Sequence, residues 1–424
     1  MIRSTPRRLA AALTVALFLP LATPTASLAA APEVPCPKPD VAKPKNIPAR
    51  PVPPPDNPVN SAVGGDALAT HGLIVPAGAR KPPPVTATTW LVADLDTGEV
   101  LGGCGPHVYQ TPASVQKTLL AAAVIGDLDP KQQMTVQRSD LEIEPGSSAV
   151  GLVVGGKYQI STLWLGLLLN SGNDAANALA RLAGGGGADG VAKTVARMNA
   201  EAQRIGAFQT RAVTPSGLDG RGQFTSSYDL ALIARVAFAN PDFRRYVLAR
   251  NAQMPAQPHL KKKGFQFQNE NRLLYNYPGA LGGKTGFTTL ARHSYVGAAE
   301  RNGRRLVVTL LGAEARPLRG WQQGAALLDW GFALPRDASV GKLISPEEVA
   351  AESGTATGTT RLEKAAPQAA PAIRPPAGPG MLTVAAAATM AIVLTGTPLL
   401  LLLTQRRRRR PVRRPSRAPV RPVR

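Results

Sequence analysis

The spacing of apolar and polar residues predicts an antiparallel sheet interrupted by a block of helices. Trp90-Leu-Val-Ala-Asp-Leu, the turn Asp96-Thr-Gly-Glu and Val100-Leu together are typical of a hairpin. Helical spacing and Gly or Pro breakers then predict helices near 114–126, 161–169, 173–183, 190–205 and 226–239. Strands are predicted at 281–289, 292–300 and 304–313, and a last helix at 321–330 is predicted to pack back on the sheet.

The N-terminus has the pattern of a signal for export. Basic residues Arg3, Arg7 and Arg8 precede the apolar residues 9–21, and the small residues of 26–30 follow. This order predicts a secretory signal peptide over residues 1–30. The Arg7-Arg8 pair leaves a twin-arginine route open, although its flanking residues favour the general secretory route.

Residues 31–84 contain many prolines, which exclude helices and central strands and favour extended conformations. The segment is therefore predicted to be a stalk rather than a domain. Its Cys36 and the later Cys104 are the two cysteines of the chain. In an exported protein such a pair suggests a disulfide, with two free thiols as the alternative.

The C-terminal region predicts a membrane anchor. Residues 336–380 are rich in Ala, Pro, Thr and Gly, which predicts a disordered linker. Residues 381–404 are uncharged and as a helix would span about 36 Å, enough to cross a hydrocarbon core of about 30 Å. Ten arginines follow in residues 405–424, which predicts a cytoplasmic tail and an extracellular folded domain.

The formal net charge of +22 is concentrated at the ends. The tail arginines and the three arginines before the apolar N-terminal run supply more than half of it. We therefore expect no nucleic-acid partner, and expect the tail to contact anionic lipid.

Three short motifs carry the candidate chemistry. Ser114 and Lys117 are one helical turn apart, so the amine can take the proton of the hydroxyl. This spacing alone also fits an ordinary helix. The motifs Ser171-Gly-Asn173 and Lys284-Thr-Gly286 follow it in that order, and the three together are the set found in penicillin-binding proteins and serine β-lactamases.

Longer segments extend this similarity. They are Ser171-Gly-Asn-Asp-Ala-Ala, Thr214-Pro-Ser-Gly-Leu-Asp, Thr225-Ser-Ser-Tyr-Asp-Leu-Ala and Leu327-Leu-Asp-Trp-Gly-Phe. Residues 85–335 resemble the D-alanyl-D-alanine carboxypeptidase family, the low-molecular-weight penicillin-binding proteins. The resemblance implies a β-lactamase/transpeptidase-like α/β fold of the α+β type, with an antiparallel sheet flanked by helices and an inserted helical subdomain. Many relatives continue into a second, β-rich domain, which we do not expect in this chain.

The resemblance also implies roles for individual residues. Ser114 would be the nucleophile, Lys117 its base and Ser171 the proton relay to the leaving amine. Asn173 would bind the substrate's amide, and Lys284 with Thr285 would hold its terminal carboxylate. Gly286 and Phe287 complete the implied substrate-binding set, with the backbone N–H groups of Ser114 and Phe287 forming the oxyanion hole.

Other candidate residues carry weaker signals. Arg292 is either a further carboxylate contact or a surface arginine. The family uses no metal or cofactor, and the histidines are too scattered to indicate a metal site.

The implied function is a membrane-anchored hydrolase of the bacterial cell wall. It would be a serine carboxypeptidase that removes terminal D-alanine from peptidoglycan stem pentapeptides and is inhibited by β-lactams. The cell membrane would be crossed once, with the catalytic domain outside and the C-terminus in the cytoplasm. The alternatives are a class A-like β-lactamase, although no deacylating-glutamate loop is recognised, and a catalytically idle module that binds stem peptides.

Overall fold

The computed structural model describes residues 33–42 and 48–355. The strands are β1 (Leu73–Ile74), β2 (Thr89–Asp94), β3 (Glu99–Cys104), β4 (Gln133–Thr135), β5 (Lys157–Gln159), β6 (Asn251–Met254), β7 (Phe265–Gln268), β8 (Ala280–Thr288), β9 (Arg292–Arg301), β10 (Arg304–Ala313) and β11 (Gly341–Lys342). The helices are α1 (Pro58–Ser61), α2 (Lys117–Val124), α3 (Ile160–Leu169), α4 (Asn173–Ala183), α5 (Gly190–Arg204), α6 (Ser227–Ala239), α7 (Pro241–Leu248), α8 (Leu273–Asn276), α9 (Gly320–Phe332) and α10 (Pro346–Thr355).

The main sheet is antiparallel in the order β1-β3-β2-β10-β9-β8, and β11 also pairs with β3. The predicted hairpin is confirmed as β2–β3, and the predicted late strands are confirmed as β8, β9 and β10. Asn302 and Gly303 have positive φ in the tight turn between β9 and β10, as a two-residue hairpin turn requires. The antiparallel sheet of the predicted fold is therefore present.

The two faces of the sheet carry separate apolar cores because side chains alternate along each strand. In β2, Leu91 and Ala93 belong to the core shared with α2 and α6. Trp90 and Val92 belong to the core shared with α9. The sheet therefore lies between two helical layers, as predicted.

The predicted helices are confirmed, with boundaries shifted by a few residues. The helix predicted at 114–126 begins as a 3₁₀ turn, Ala113–Gln116, before α2. Helix α7 is not predicted by the apolar spacing, although Asn240-Pro241 is a start signal. The Asn240 side chain accepts hydrogen bonds from the backbone of Asp242 and Phe243.

The predicted stalk over 31–84 packs onto the folded domain in its described residues, and the suggested disulfide is confirmed. Cys36 and Cys104 form a disulfide, with their Cα atoms 5.9 Å apart. Leu68 is completely buried in the core, and the Val85 N–H donates to the Pro37 carbonyl oxygen. Proline is excluded from helix interiors and central strands, but it can start a helix, as Pro58 starts α1. It also does not prevent an extended segment from packing on a sheet edge.

The predicted domain end at residue 335 is also wrong. Residues that we assigned to the linker form β11 and α10, and Leu343 is completely buried. The Tyr228 hydroxyl donates to the Lys342 carbonyl oxygen at 2.8 Å. A two-residue strand and one apolar side chain are too short a pattern to detect in a segment rich in small residues.

The predicted signal peptide, transmembrane helix at 381–404 and arginine tail lie outside the described residues. Within residues 33–42 and 48–355, no helix is both long and apolar enough to cross a membrane.

A chain that ends at Pro335 should be less stable than one that ends at Thr355. The shorter chain loses Leu343 from the core and the backbone bonds from Val340 to Val100 and from Leu343 to Gly98. We expect its melting temperature, measured by circular dichroism, to be lower by about 5 °C or more. Equal melting temperatures would show that β11 is not part of the cooperative fold.

Candidate active site

Ser114 lies in the 3₁₀ turn that precedes α2. The residue before it, Ala113, has a left-handed φ of 52°, an uncommon conformation for a residue with a side chain. The buried Ser294 of β9 donates from its hydroxyl to the Pro112 carbonyl oxygen at 2.6 Å. The strained approach to the turn is therefore held by the sheet, and Ser114 itself stays partly exposed.

The amine of Lys117 is the centre of the site. It is completely buried, and its Nζ lies 2.9 Å from Ser114 Oγ. It donates to Asn173 Oδ1 and to the Ser216 carbonyl oxygen, each at 2.7 Å. In the neutral form of this amine, two N–H groups would donate to Asn173 and Ser216, and the lone pair would accept from the Ser114 hydroxyl.

Electrostatics favour that neutral form. Burial, and then the positive charge of Lys284, lower the pKa of Lys117 well below the usual lysine value, while Asp174 and Glu270 oppose the shift. Burial also lowers the pKa of Lys284, to about 8. The charge of Lys284 therefore favours loss of the proton from Lys117, a separation of roles that acid–base catalysis uses.

The loop between α3 and α4 brings in the second motif. Ser171 has a left-handed φ of 61°, and its Oγ lies 2.9 Å from Lys284 Nζ. The carboxylate of Asp174 accepts hydrogen bonds of 2.9 Å from the backbone N–H groups of 150–152. This anchor fixes the start of α4, and with it the side chain of Asn173.

Strand β8 supplies the third motif along the edge of the sheet. Lys284 is almost fully buried, whereas Phe287 is 52% exposed. A Cβ added to Gly286 would lie 2.9 Å from the Ser114 nitrogen. Only glycine leaves room there, so β8 passes directly beside the backbone of the nucleophile.

The structure thus joins the three motifs through side-chain contacts. Ser114, Lys117 and Asn173 are linked through one amine, and Ser171 is linked to Lys284. Thr285, Gly286 and Phe287 continue β8 past Lys284. The arrangement places the Ser114 hydroxyl beside the buried amine of Lys117, with a second lysine, Lys284, at the same site.

Comparisons with known proteins agree with this geometry. The profile of the Peptidase S11 family, described as D-alanyl-D-alanine carboxypeptidase, matches residues 77–315. The chain belongs to this carboxypeptidase family. It is a serine peptidase of the penicillin-binding protein type, as the resemblance implied.

Among similar proteins is the D-alanyl-D-alanine carboxypeptidase DacB2 of Mycobacterium tuberculosis. It is 45% identical over 276 residues, which cover 64% of this chain and 90% of that protein. A crystal structure of a D-alanyl-D-alanine carboxypeptidase from the same organism is 43% identical with a TM-score of 0.59, over 63% of this chain and 99% of that one. A mutant of a Streptomyces DD-transpeptidase is 29% identical with a TM-score of 0.57, over 59% of this chain and 100% of that one.

Arg292 of this carboxypeptidase is engaged elsewhere. Its guanidinium forms two hydrogen bonds to the Glu314 carboxylate, at 2.9 and 2.8 Å, and lies 5.6 Å from the centre of the Phe287 ring. The guanidinium of Arg292 is therefore already paired with a carboxylate of the protein, which favours a structural role over a substrate contact.

Sequence reasoning missed two contributors to the carboxypeptidase site. Ser216 supplies a backbone carbonyl to Lys117, and Ser294 holds the turn before Ser114. The segment Thr214-Pro-Ser-Gly-Leu-Asp carries part of the family resemblance. Its residue types do not show that the main-chain oxygen of Ser216 accepts a hydrogen bond from Lys117.

Two histidines of the carboxypeptidase have identifiable partners. His107 lies between Gln209 Oε1 at 2.8 Å and the Val63 carbonyl oxygen at 3.0 Å. His293 packs on the ring of Phe287. In the part of the chain that the structure describes, no group of three His, Cys, Asp or Glu residues could hold a metal ion.

Proposed function

We propose that the chain is a membrane-anchored carboxypeptidase that removes the terminal D-alanine from peptidoglycan stem pentapeptides through an acyl-enzyme on Ser114. The observation that carries this proposal is the 2.9 Å approach of Ser114 Oγ to the fully buried amine of Lys117. The names of the similar carboxypeptidases support the choice of substrate.

Acylation follows from the protonation states at the site. The Ser114 oxygen attacks the carbonyl of the penultimate D-alanine, and its proton moves to the neutral Lys117 amine. The C–N bond then breaks, and a proton returned through Ser171 leaves with the amine of D-alanine. Water hydrolyses the resulting ester and restores the Ser114 hydroxyl.

The remaining residues bind and polarise the substrate. Lys284 and Thr285 hold the terminal carboxylate, which is why a charged Lys284 is needed. Asn173 uses its oxygen to accept from Lys117, so its amide N–H groups donate to a substrate carbonyl. The backbone N–H groups of Ser114 and Phe287 stabilise the oxyanion.

A direct assay tests this proposal. The purified chain ending at Thr355 should release free D-alanine from a peptide that ends in D-alanyl-D-alanine, and a Ser114→Ala variant should not. The matched control is Ser139→Ala, on an exposed turn distant in sequence from all three motifs. Release by the Ser114→Ala variant would exclude Ser114 as the nucleophile.

A labelled penicillin should form a covalent adduct on Ser114. The β-lactam presents a strained amide where the scissile bond would lie, and Lys117 would activate the hydroxyl in the same way. Mass spectrometry of the labelled peptide identifies the site. An adduct on any other residue, or none, would contradict the assignment.

Competing functions have less support. No hydrogen bond joins a carboxylate to Ser114 or Lys117 among the described residues, whereas a β-lactamase of class A type would need a deacylating glutamate. An idle binding module would not need a neutral buried lysine. The similarity to a DD-transpeptidase leaves transfer of the acyl group to an amine as a side activity of the same acyl-enzyme.

Anchoring is proposed from the sequence at 381–404. The full chain, expressed with its predicted signal peptide, should pellet with membranes, and a chain ending at Thr355 should appear in the medium and keep its activity. Because β11 belongs to the sheet, the chain is truncated after Thr355 rather than after Pro335. A shortened chain that still pellets would refute the anchor.

A further inference from the structure

A groove of about 470 Å³ lies beside the segment that leads into the nucleophile. We call it the aromatic groove because the rings of Tyr109, Phe208 and Phe224 line it. Gln203 and Arg211 also line it. None of them belongs to the three catalytic motifs.

One loop connects the aromatic groove to the catalytic amine. Arg211 and Phe224 form an antiparallel bridge at the base of loop 211–224, and both line the groove. Toward the tip of the same loop, the Ser216 carbonyl oxygen accepts from Lys117 at 2.7 Å. The loop therefore contributes to the groove and to the catalytic site at once.

The lining of the aromatic groove combines aromatic rings with exposed polar side-chain ends. Tyr109 meets Phe224 edge to face, with ring centres 6.1 Å apart, and Tyr109 and Phe208 are partly exposed. The side chains of Gln203 and Arg211 are exposed and have no hydrogen-bond or ion-pair partner among the described residues. The groove lining contains no Lys, Asp or Glu, so neither a polyanion nor a metal cation matches it.

Such a surface suits a sugar bearing an amide group. The apolar face of a pyranose ring packs on an aromatic ring, while its hydroxyl and acetamido groups pair with amide and guanidinium donors. The single arginine can pair with a carbonyl or a hydroxyl and does not demand a charged ligand.

The length of the substrate is compatible with the position of the aromatic groove. Tyr109 is five residues from Ser114, and Arg211 is five residues from Ser216, so each lies within about 18 Å of the catalytic site. A stem pentapeptide has four residues on the acyl side of its scissile bond, which span about 13–14 Å when extended. The sugar that carries the stem therefore falls within the range of the groove.

We propose that the aromatic groove binds the N-acetylated saccharide to which the stem peptide is attached. This inference rests on the proposed function and deepens it, because it makes glycan-bound stems the preferred substrate over free peptides.

The test compares two substrates that differ only in the sugar. One is a disaccharide pentapeptide ending in D-alanyl-D-alanine, and the other is the same pentapeptide after removal of the disaccharide. Wild-type protein should have a lower KM for the sugar-bearing substrate. A Gln203→Ala/Arg211→Ala double variant should raise that KM about tenfold with kcat unchanged, and should change hydrolysis of the free pentapeptide less than twofold.

The matched control is Arg221→Ala, which removes an exposed arginine of the same loop that does not line the groove. It should alter neither substrate's kinetics. The free N-acetylated disaccharide should also inhibit hydrolysis of the sugar-bearing substrate competitively.

The outcomes separate this inference from the proposed function. If wild-type protein hydrolyses both substrates equally, or the double variant affects both alike, the groove is not a saccharide site although the carboxypeptidase function stands. If neither substrate releases D-alanine, the proposed function itself fails.

Discussion

A Lys117→Ala variant is expected to lose at least about 10²-fold in the rate of acylation while keeping its fold, which is the loss typical of removing a general base. The amine is the one group that the structure places within hydrogen-bonding distance of Ser114 Oγ among the described residues. Stopped-flow acylation by a fluorescent penicillin measures the rate, and the melting temperature checks the fold. Lys157→Ala, on the exposed side of β5, is the matched control.

A Lys117→Arg variant sharpens the test because a guanidinium keeps its proton. It should be as impaired as the alanine variant, although it keeps a long polar side chain. Rates close to wild type in either variant would require another base.

The pH profile of kcat/KM should be set by the ionisation of Lys117 and Lys284. It should rise with pH as Lys117, whose pKa is lowered, loses its proton and becomes a base. It should fall above about pH 8, where Lys284 loses the charge that holds the substrate carboxylate. Replacing Lys284 with Met should remove the upper limb and shift the lower limb to higher pH, because the positive charge that lowers the pKa of Lys117 is lost.

A Gly286→Ala variant is expected to lose about 10²-fold in kcat, comparable to the loss of one oxyanion donor. The added Cβ would clash with Ser294 Oγ and would lie 2.9 Å from the Ser114 nitrogen and 3.1 Å from the Val115 nitrogen. Backbone atoms cannot yield as a flexible side chain can, so β8 or the 3₁₀ turn must shift. That shift would displace the N–H group that we propose as an oxyanion donor.

The control for this variant is Gly126→Ala, since a Cβ at Gly126 meets nothing within 4 Å. D-alanine release and penicillin acylation should both fall in Gly286→Ala and stay unchanged in the control. Normal acylation by Gly286→Ala would show that the approach of β8 to Ser114 does not matter for catalysis.

The sequence predicted long, regular elements well because their periodicity is strong. Strands β2, β9 and β10 carry runs of apolar residues, and α3 and α6 are bounded by clear breakers. The three motifs also identified the residues that the fold brings together. Motif spacing locates functional side chains, but it carries no information about main-chain atoms such as the Ser216 carbonyl.

The errors concern segments whose structure depends on a distant partner. Residues 33–42, 48–84 and 336–355 have little periodic pattern, and contacts with β3 and α6 hold parts of them in place. The suggested disulfide between Cys36 and Cys104 is present, but the contact of Lys342 with Tyr228 had no signal in the sequence. Such pairings come from tertiary packing, which local composition does not reveal.

The short strands β1 and β11 have a consequence for solubility. Both pair with the same side of β3, β1 at Gly103 and Cys104 and β11 at Glu99 and Val100. An uncovered β3 would present unpaired backbone N–H and C=O groups, which recruit strands from other molecules. Strands β1 and β11 thus cover the edge of β3 together and prevent edge-to-edge aggregation. The opposite edge strand, β8, stays free to form part of the catalytic site.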